Sequence, residues 1–334
     1  MPELPEVETI VNDLRNKIIN KKIVNVEVRN KTTVRGDVAK FKKMLKGDYF
    51  GSIERRAKLM VIRFGPPPSL RGATGGSTFS PHQGEIQRGL PSSEDTRGST
   101  EDGKPHPTLP SERGGGVFFL LIHLKMTGQL IYYYDHKVIA GGHNLPLHLP
   151  KLPDKHTHVI LTLADRSRLF FNDQRRFGFM KIVDEEERNK IMESYGMEPL
   201  SKAFTLKKFK ETLKGKRAIK QILMDQERVA GIGNIYSDEI CFCARVRPDR
   251  KVNTLAENEI KSLRSCVKKI LKLAIKYRGT TFKDYKDVAG RQGNFSNFLK
   301  VYDREGEKCM RCDAVLQKKR LGGRGSVFCS SCQH

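Results

Sequence analysis

The chain has no apolar run long enough to cross a membrane. A spanning helix needs about 18 or more uninterrupted apolar residues. The nearest approach, VFFLLIHLKM at 117–126, is broken by His123 and Lys125 and reads as a buried strand. No leader-like segment precedes PELPEVE, so a secretory signal is not expected. No internal repeat is visible. Acid is scarce: 38 Asp and Glu face 62 Lys and Arg, for a formal charge of +24 and a pI near 9.8. That imbalance points to a polyanionic partner, nucleic acid first and an acidic membrane surface second. Cysteines number seven, an odd count, and four of them stand in a metal-type spacing. The expectation is a reducing, cytoplasmic compartment and no disulfide framework.

What is present suffices for two domains with real cores, given 334 residues. Val7, Ile10, Val11, Leu14 and Ile18 recur at helical spacing and predict a helix over 5–19. IVNVEVRN (23–30) and KLMVIRF (58–64) read as strands. Further strands are predicted at 117–124, 128–134, 157–163 and 168–172, with a polar loop over 135–156. Residues 65–116 break the pattern, holding eight of the 15 prolines, 11 of the 29 glycines and few large apolar residues. Such a stretch cannot bury enough apolar surface to offset its ordering entropy, so it is predicted to be a disordered insertion. Its net charge is −1, so the positive charge resides on the remainder. From about 195 the period becomes helical. RAIKQILMDQ (217–226) places Ile219, Ile222 and Leu223 on one face. Thr254 and Glu257 suggest a capping box before a helix with Ile260, Leu263, Val267, Ile270, Leu271 and Ala274 inward.

Four motifs carry chemistry. Cys309, Cys312, Cys329 and Cys332 form two Cys-x2-Cys knuckles sixteen residues apart, a spacing that sets four thiolates around Zn²⁺. Four thiolates close the coordination shell, so one structural zinc is expected. Between the knuckles, QKKRLGGRGSVF would project Lys318, Lys319, Arg320 and Arg324 from a glycine-shaped tip toward a DNA groove. Cys241, Cys243 and Cys266 fall in helical stretches and read as small core hydrophobes. In GIGNIYSDE (231–239), a glycine turn leads to Asn234 at an N-cap, exposing backbone N–H groups that suit a phosphate or simply begin a helix. In NDQRRFGF (172–179), Arg175 and Phe177 lie on one side of an extended segment. They are either a solvated turn or a wedge that fills the space of an extruded base. The opening MPELPEVE admits two readings as well: an ordinary helix start, or a Pro2 amine freed by loss of Met1.

Six motifs in order resemble the formamidopyrimidine-DNA glycosylase family: PELPEVE, RRAKLM (55–60), HLKMTG (123–128), NDQRRFG, VAGIGNIYSDE (229–239) and GGRGSVFCSSC (322–332). The resemblance implies an α+β multidomain fold. It comprises an N-terminal β-sandwich with its N-terminal helix (1–185), a helical helix-two-turn-helix domain (186–298) and a C-terminal zinc-finger hairpin (299–334). It further implies a bifunctional glycosylase and AP lyase that removes oxidised purines from double-stranded damaged DNA, as a monomer near the nucleoid and without a membrane. By resemblance Pro2 is the nucleophile, Glu3 the acid with Glu6 supporting it, and Lys58 a phosphate-binding, proton-donating lysine. Met126, Arg175 and Phe177 fill the hole left by the flipped nucleotide. Asn234 and Arg324 bind phosphate, and His156 and Lys216 match DNA-contacting positions. The family's base-capping loop corresponds to 283–295. A sister branch, resembling endonuclease VIII and acting on oxidised pyrimidines, also begins Pro-Glu. A zinc-stabilised binding protein without catalysis fits every motif except Pro2 and Glu3.

Overall fold

The computed structural model describes residues 1–66, 117–135, 137–142, 152–280 and 295–334. The chain opens with α1 (Leu4–Ile18), then β1 (Ile23–Val28), α2 (Val38–Leu45), β2 (Phe50–Arg56), β3 (Leu59–Phe64), β4 (Phe118–His123), β5 (Gly128–Tyr134) and β6 (Lys137–Gly142). It continues with β7 (Thr157–Leu163), β8 (Arg168–Asp173) and β9 (Phe179–Asp184). These strands make two antiparallel sheets, ordered β1-β7-β8-β5-β6 and β2-β3-β4-β9. Their facing sides and the apolar stripe of α1 share one core, in which Val7, Ile10, Val11, Leu14 and Ile18 are all buried. In β3 the even positions Met60, Ile62 and Phe64 enter that core, while Leu59 and Val61 face a second cluster with Phe119, Leu121 and Val183. A strand buried on both faces reads as an unbroken apolar run, which is why KLMVIRF carries no alternation.

The polar loop expected over 135–156 is corrected in its first part. Tyr134 pairs with Lys137 across a two-residue turn in which Asp135 has φ +47°, and β6 returns along β5. Aspartate tolerates the left-handed region, so this hairpin forms without the usual Asn-Gly signal. The predicted insertion at 65–116 lies outside the described residues, apart from its first two.

After the sheets come, among the described residues, five α-helices: α3 (Glu185–Glu193), α4 (Leu206–Thr212), α5 (Ile219–Met224), α6 (Asn234–Ala244) and α7 (Glu257–Lys276). The last four enclose a core of their own, with Ile219, Ile222, Leu223, Tyr236, Leu263, Val267 and Leu271 buried, while α3 packs Ile191 and Met192 against the β3–β4 cluster. The capping box expected at Thr254 and Glu257 is corrected. Glu259 reaches back to the N–H of Ala256 at 2.7 Å, and the Thr254 hydroxyl donates to Lys251 O at 2.8 Å. The reading of Cys243 and Cys266 as small core hydrophobes, made with the expectation of no disulfide framework, is corrected too. Cys243 of α6 is bonded to Cys266 of α7, with Cα atoms 5.8 Å apart, because packing of the two helices sets these positions face to face.

The chain ends in a hairpin, β10 (Gln317–Leu321) and β11 (Arg324–Phe328), bolted to α6 by consecutive buried carboxylates. Asp238 accepts from Ser326 Oγ at 2.6 Å and Val327 N at 3.1 Å, and pairs with buried Lys220 at 2.8 Å. Lys220 in turn donates to Gly325 O at 2.9 Å. Glu239 accepts from the N–H groups of Lys300, Val301 and Tyr302. One detail of α1 places the site. Its first residue, Leu4, belongs to the helical core, whereas Val7 onward belongs to the sandwich core. Glu3 therefore stands where the two cores meet.

Candidate active site

Glu3 is buried, and α6 starts beside it. Its carboxylate accepts from Gly233 N at 2.6 Å and Ile235 N at 2.9 Å, while its own N–H donates to Glu6 at 2.9 Å. Two of the N–H groups read from GIGN as a phosphate cradle are thus taken by a carboxylate of the protein itself. Asn234 is the first helical residue rather than the N-cap, which is Gly233. Its Oδ1 is buried without a hydrogen-bond partner among the described residues, and its side chain faces the Tyr302 hydroxyl. Only glycine fits at 233. A Cβ there would lie 2.4 Å from Glu3 Cδ and 2.7 Å from Lys58 Nζ.

That contact brings the Lys58 amine to the same spot. Lys58 follows Ala57, whose φ of +54° turns β2 into β3. Burial pushes the Glu3 carboxyl above the usual range, against the pull of Lys58, and Glu6 adds to the rise. Burial also pulls the Lys58 amine down, opposed by Glu3 and Glu6 and reinforced by Arg324 and Lys125. Burial thus draws the carboxyl and the amine toward each other in proton affinity. The terminal amine on Met1, in the same place, is likewise lowered by burial.

Glu3 and Lys58 open into a cavity of about 560 Å³. Arg35, Lys58, Lys125 and Arg324 line it, against Glu3 as the one acidic side chain on its wall among the described residues. Such a cleft focuses positive potential and selects an anion. His123 also lines it, with Nδ1 accepting the Lys125 N–H at 2.9 Å. Burial and the cations Lys125, Lys58 and Arg35 hold its imidazole down at about 3, so it stays neutral at ordinary pH and its Nε2 carries the hydrogen. Arg35 lies 3.6 Å over the Phe179 ring. Motif reading missed Arg35, His123, Lys125 and Tyr302 as site residues; His123 and Lys125 stand inside a quoted motif, but nothing local marks their role.

Met126, Arg175 and Phe177 come together at the rim. Arg175 Nη1 lies 3.2 Å from Met126 Sδ, and its guanidinium carbon 4.9 Å from the Phe177 ring centre. The segment is not extended, as expected, but turns at Arg176 with φ +57°. Asp173 builds the turn: it accepts from Gly178 N at 2.7 Å, Arg175 N at 3.1 Å and the Thr127 hydroxyl. Phe177 is left 52% exposed, with the Arg175 guanidinium over its ring. An exposed ring backed by a fixed turn suits insertion between stacked bases.

The four knuckle cysteines gather with all sulfurs within 4.8 Å of one another, at 3.9 Å for Cys309–Cys332 and 3.5 Å for Cys312–Cys329. Tetrahedral Zn–S bonds of about 2.3 Å require sulfurs roughly 3.8 Å apart, so the donor set fits zinc. Bound there, zinc ties the two knuckles together and holds Arg324 at the cleft. Gly322 and Gly323, at φ +54° and +77°, make the tip. Lys318 and Lys319 do not project from it. They sit in β10, paired with Glu305 at 2.7 Å and Asp249 at 2.9 Å. Arg320 and Lys216 are exposed and His156 partly buried, none of them on the cavity wall. The expected base-capping loop at 283–295 lies outside the described residues, save its last.

Comparison with known proteins follows the same lines. Residues 1–87 and 108–180 match the formamidopyrimidine-DNA glycosylase N-terminal domain, 195–286 the H2TH domain of that family, and 306–334 the zinc finger found in FPG and IleRS. The formamidopyrimidine-DNA glycosylase of Pelotomaculum thermopropionicum is 33% identical over 337 residues, covering 100% of this chain and 99% of the relative. Two crystal structures of the Lactococcus lactis enzyme cover both chains fully. One, in complex with N7-benzyl-Fapy-dG-containing DNA, has a TM-score of 0.72 at 28% identity. The other, in complex with oxidised-pyrimidine-containing DNA, has 0.73 at 29%.

Proposed function

The chain belongs to the formamidopyrimidine-DNA glycosylase family of DNA-repair glycosylases, and from that premise we propose that it is bifunctional, excising oxidised purines such as 8-oxoguanine and formamidopyrimidines and then cleaving the strand. With Met1 removed, the nucleophile is the Pro2 amine. An ordinary α-amine titrates near ~8. Burial lowers the amine on Met1 below that, and the same surroundings would keep the Pro2 amine neutral and nucleophilic. It bonds to C1′ of the deoxyribose as the C1′–base bond breaks. Glu3, holding its proton, delivers it to the ring oxygen or the departing base, the amine's own N–H proton goes to the other, and the C1′–O4′ bond opens. The resulting iminium has no N–H to lose, so the positive charge stays on nitrogen and acidifies C2′. Loss of a C2′ proton expels the 3′-phosphate, and a second elimination expels the 5′-phosphate. Lys58 and Arg324 hold the flanking phosphates and offset charge on the leaving oxygens. Met126, Arg175 and Phe177 occupy the space of the flipped nucleotide, while Asn234, His156 and Lys216 contact the backbone. One structural zinc, a monomeric state and a location with the nucleoid complete the reading, together with domains divided near 185 and 298.

The observation that carries it is the Glu3–Lys58 pair, buried together at the base of a cationic cleft with both pKa directions favouring proton transfer. Borohydride reduction during reaction with an 8-oxoguanine duplex tests it. The expected adduct maps to the N-terminal peptide. An adduct on a lysine side chain, or normal cleavage by an N-terminally extended protein, would overturn it. The oxidised-pyrimidine complex of the Lactococcus lactis relative favours a second lesion class, so the duplex panel includes both.

A further inference from the structure

The segment Tyr195–Glu198, between α3 and α4, binds both of the turns that carry the acid–base pair. On one side the Glu198 carboxylate accepts from Arg55 Nη1 at 2.9 and 3.0 Å and Arg55 Nη2 at 3.0 Å. It also accepts from Ala57 N at 2.6 Å and pairs with Arg56 at 3.2 Å. Arg56 donates to Tyr195 O at 2.6 Å and Gly196 O at 2.7 Å. Ala57, at φ +54°, immediately precedes Lys58. On the other side the same segment pairs in parallel with the chain around Val229. Gly196 N donates to Gln226 O at 2.8 Å, Met197 N to Arg228 O at 3.1 Å, and Ala230 N to Met197 O at 2.9 Å. That chain runs on through Gly231 to Gly233, whose N–H holds Glu3. No side chain fits between the two layers at 196, where a Cβ would lie 2.4 Å from Glu227 O.

We propose that Glu198 is a positioning residue: through this strap it fixes the turn carrying Lys58 against the turn carrying Glu3. It does not line the cleft and touches no reacting group. The inference rests on the acid–base roles given above to Glu3 and Lys58. The titratable groups that face Lys58 include Glu3, Glu6, Arg324, Lys125, the terminal amine and His123. None of them changes when Glu198 does. Loosening the Ala57 turn admits water to Lys58, and its amine moves back up toward the ordinary lysine value.

Two variants disturb the strap differently. Glu198→Gln removes the charge that holds Arg55 and Arg56, and Gly196→Ala forces the two layers apart without altering any charge. Two readouts apply to the folded fraction of each. The first is the rate of acylation of Lys58 by a small anhydride across pH, read by mass spectrometry, which needs no catalytic activity. The second is single-turnover cleavage of an 8-oxoguanine duplex, with affinity for tetrahydrofuran-containing DNA as control. The expected result is an upward shift of the Lys58 midpoint in both variants. Cleavage falls by about 10- to 100-fold, the cost of small misplacements, affinity is little changed, and Glu198→Asp recovers part of the loss. An unshifted midpoint in both variants would overturn the proposal, even if melting temperatures fall. A parent protein that cuts no lesion would instead overturn the functional reading, while the acylation profile still decides the role of Glu198.

Discussion

Gly233 and His123 show how single residues beside the acid–base pair shape the site. The α6 turn approaches Glu3 and Lys58 so closely that even a methyl at 233 displaces one of them. Gly233→Ala is expected to lower single-turnover cleavage by about 10²-fold while binding to uncleavable duplex persists; cleavage at the parent rate would refute the close fit. His123 acts through protons. Its folded pKa, near 3, lies below the ordinary histidine value, so between those limits the unfolded chain binds more protons than the native one. Stability therefore falls as pH drops below about 6.5, by roughly 2 kcal/mol at pH 5. His123→Asn keeps an acceptor for the Lys125 N–H and should abolish that part of the slope in urea unfolding at pH 8 and pH 5. An equal slope in both proteins would place the protons elsewhere. At this scale the motifs singled out Glu3, Lys58, Met126, Arg175, Phe177 and Arg324, because each stands in a distinctive local string, and Glu3, Lys58, Met126 and Arg324 share the cleft wall. Arg35 and Tyr302 were not legible: they reach the cleft from segments far apart in sequence, and nothing near them marks their destination. Asp173 was quoted in its motif, yet its work of holding three donors in one turn appears only in three dimensions.

Among the elements, legibility followed period. α1 and α7 bury one clean stripe each and were read nearly to their ends. β2 escaped because its ladder shifts register between Phe50 and Ser52, so the buried Phe50 and Ile53 stand three apart instead of two. α3 escaped because none of its residues is buried outright, leaving no stripe to see. The Cys243–Cys266 bond was beyond any periodicity, since it depends on how α6 crosses α7. It closes a sequence separation of 23 residues, which in the chain-entropy account stabilises the helical core by about 3 kcal/mol. Unfolded in chelator without reductant, the protein should therefore expose five alkylatable thiols, those of Cys241, Cys309, Cys312, Cys329 and Cys332. Reductant should lower the melting temperature. Seven thiols in the unreduced protein would contradict the pairing.

For the molecule as a whole, the pairing of β3 with β4 predicts that the site survives removal of the long connection between them. The two strands are hydrogen-bonded neighbours, with Arg63 opposite Phe119 and the Phe64 and Phe118 rings stacked at 5.0 Å. A hairpin at that end needs only two to five residues. The connection leaves from the end of β3 opposite Lys58, about 20 Å away for a strand of six residues. The cations of the cleft, Arg35, Lys58, Lys125 and Arg324, all lie in other segments. Replacing residues 67–116 with a four-residue turn should therefore leave lesion cleavage within about twofold of the parent. Shortening the loop from fifty residues to four reduces its closure entropy, a gain of about 2 kcal/mol. The melting temperature should accordingly hold or rise. Cleavage lost at an unchanged melting temperature would mean that this segment acts on the DNA itself, and the cleft described above would then be only part of the working surface.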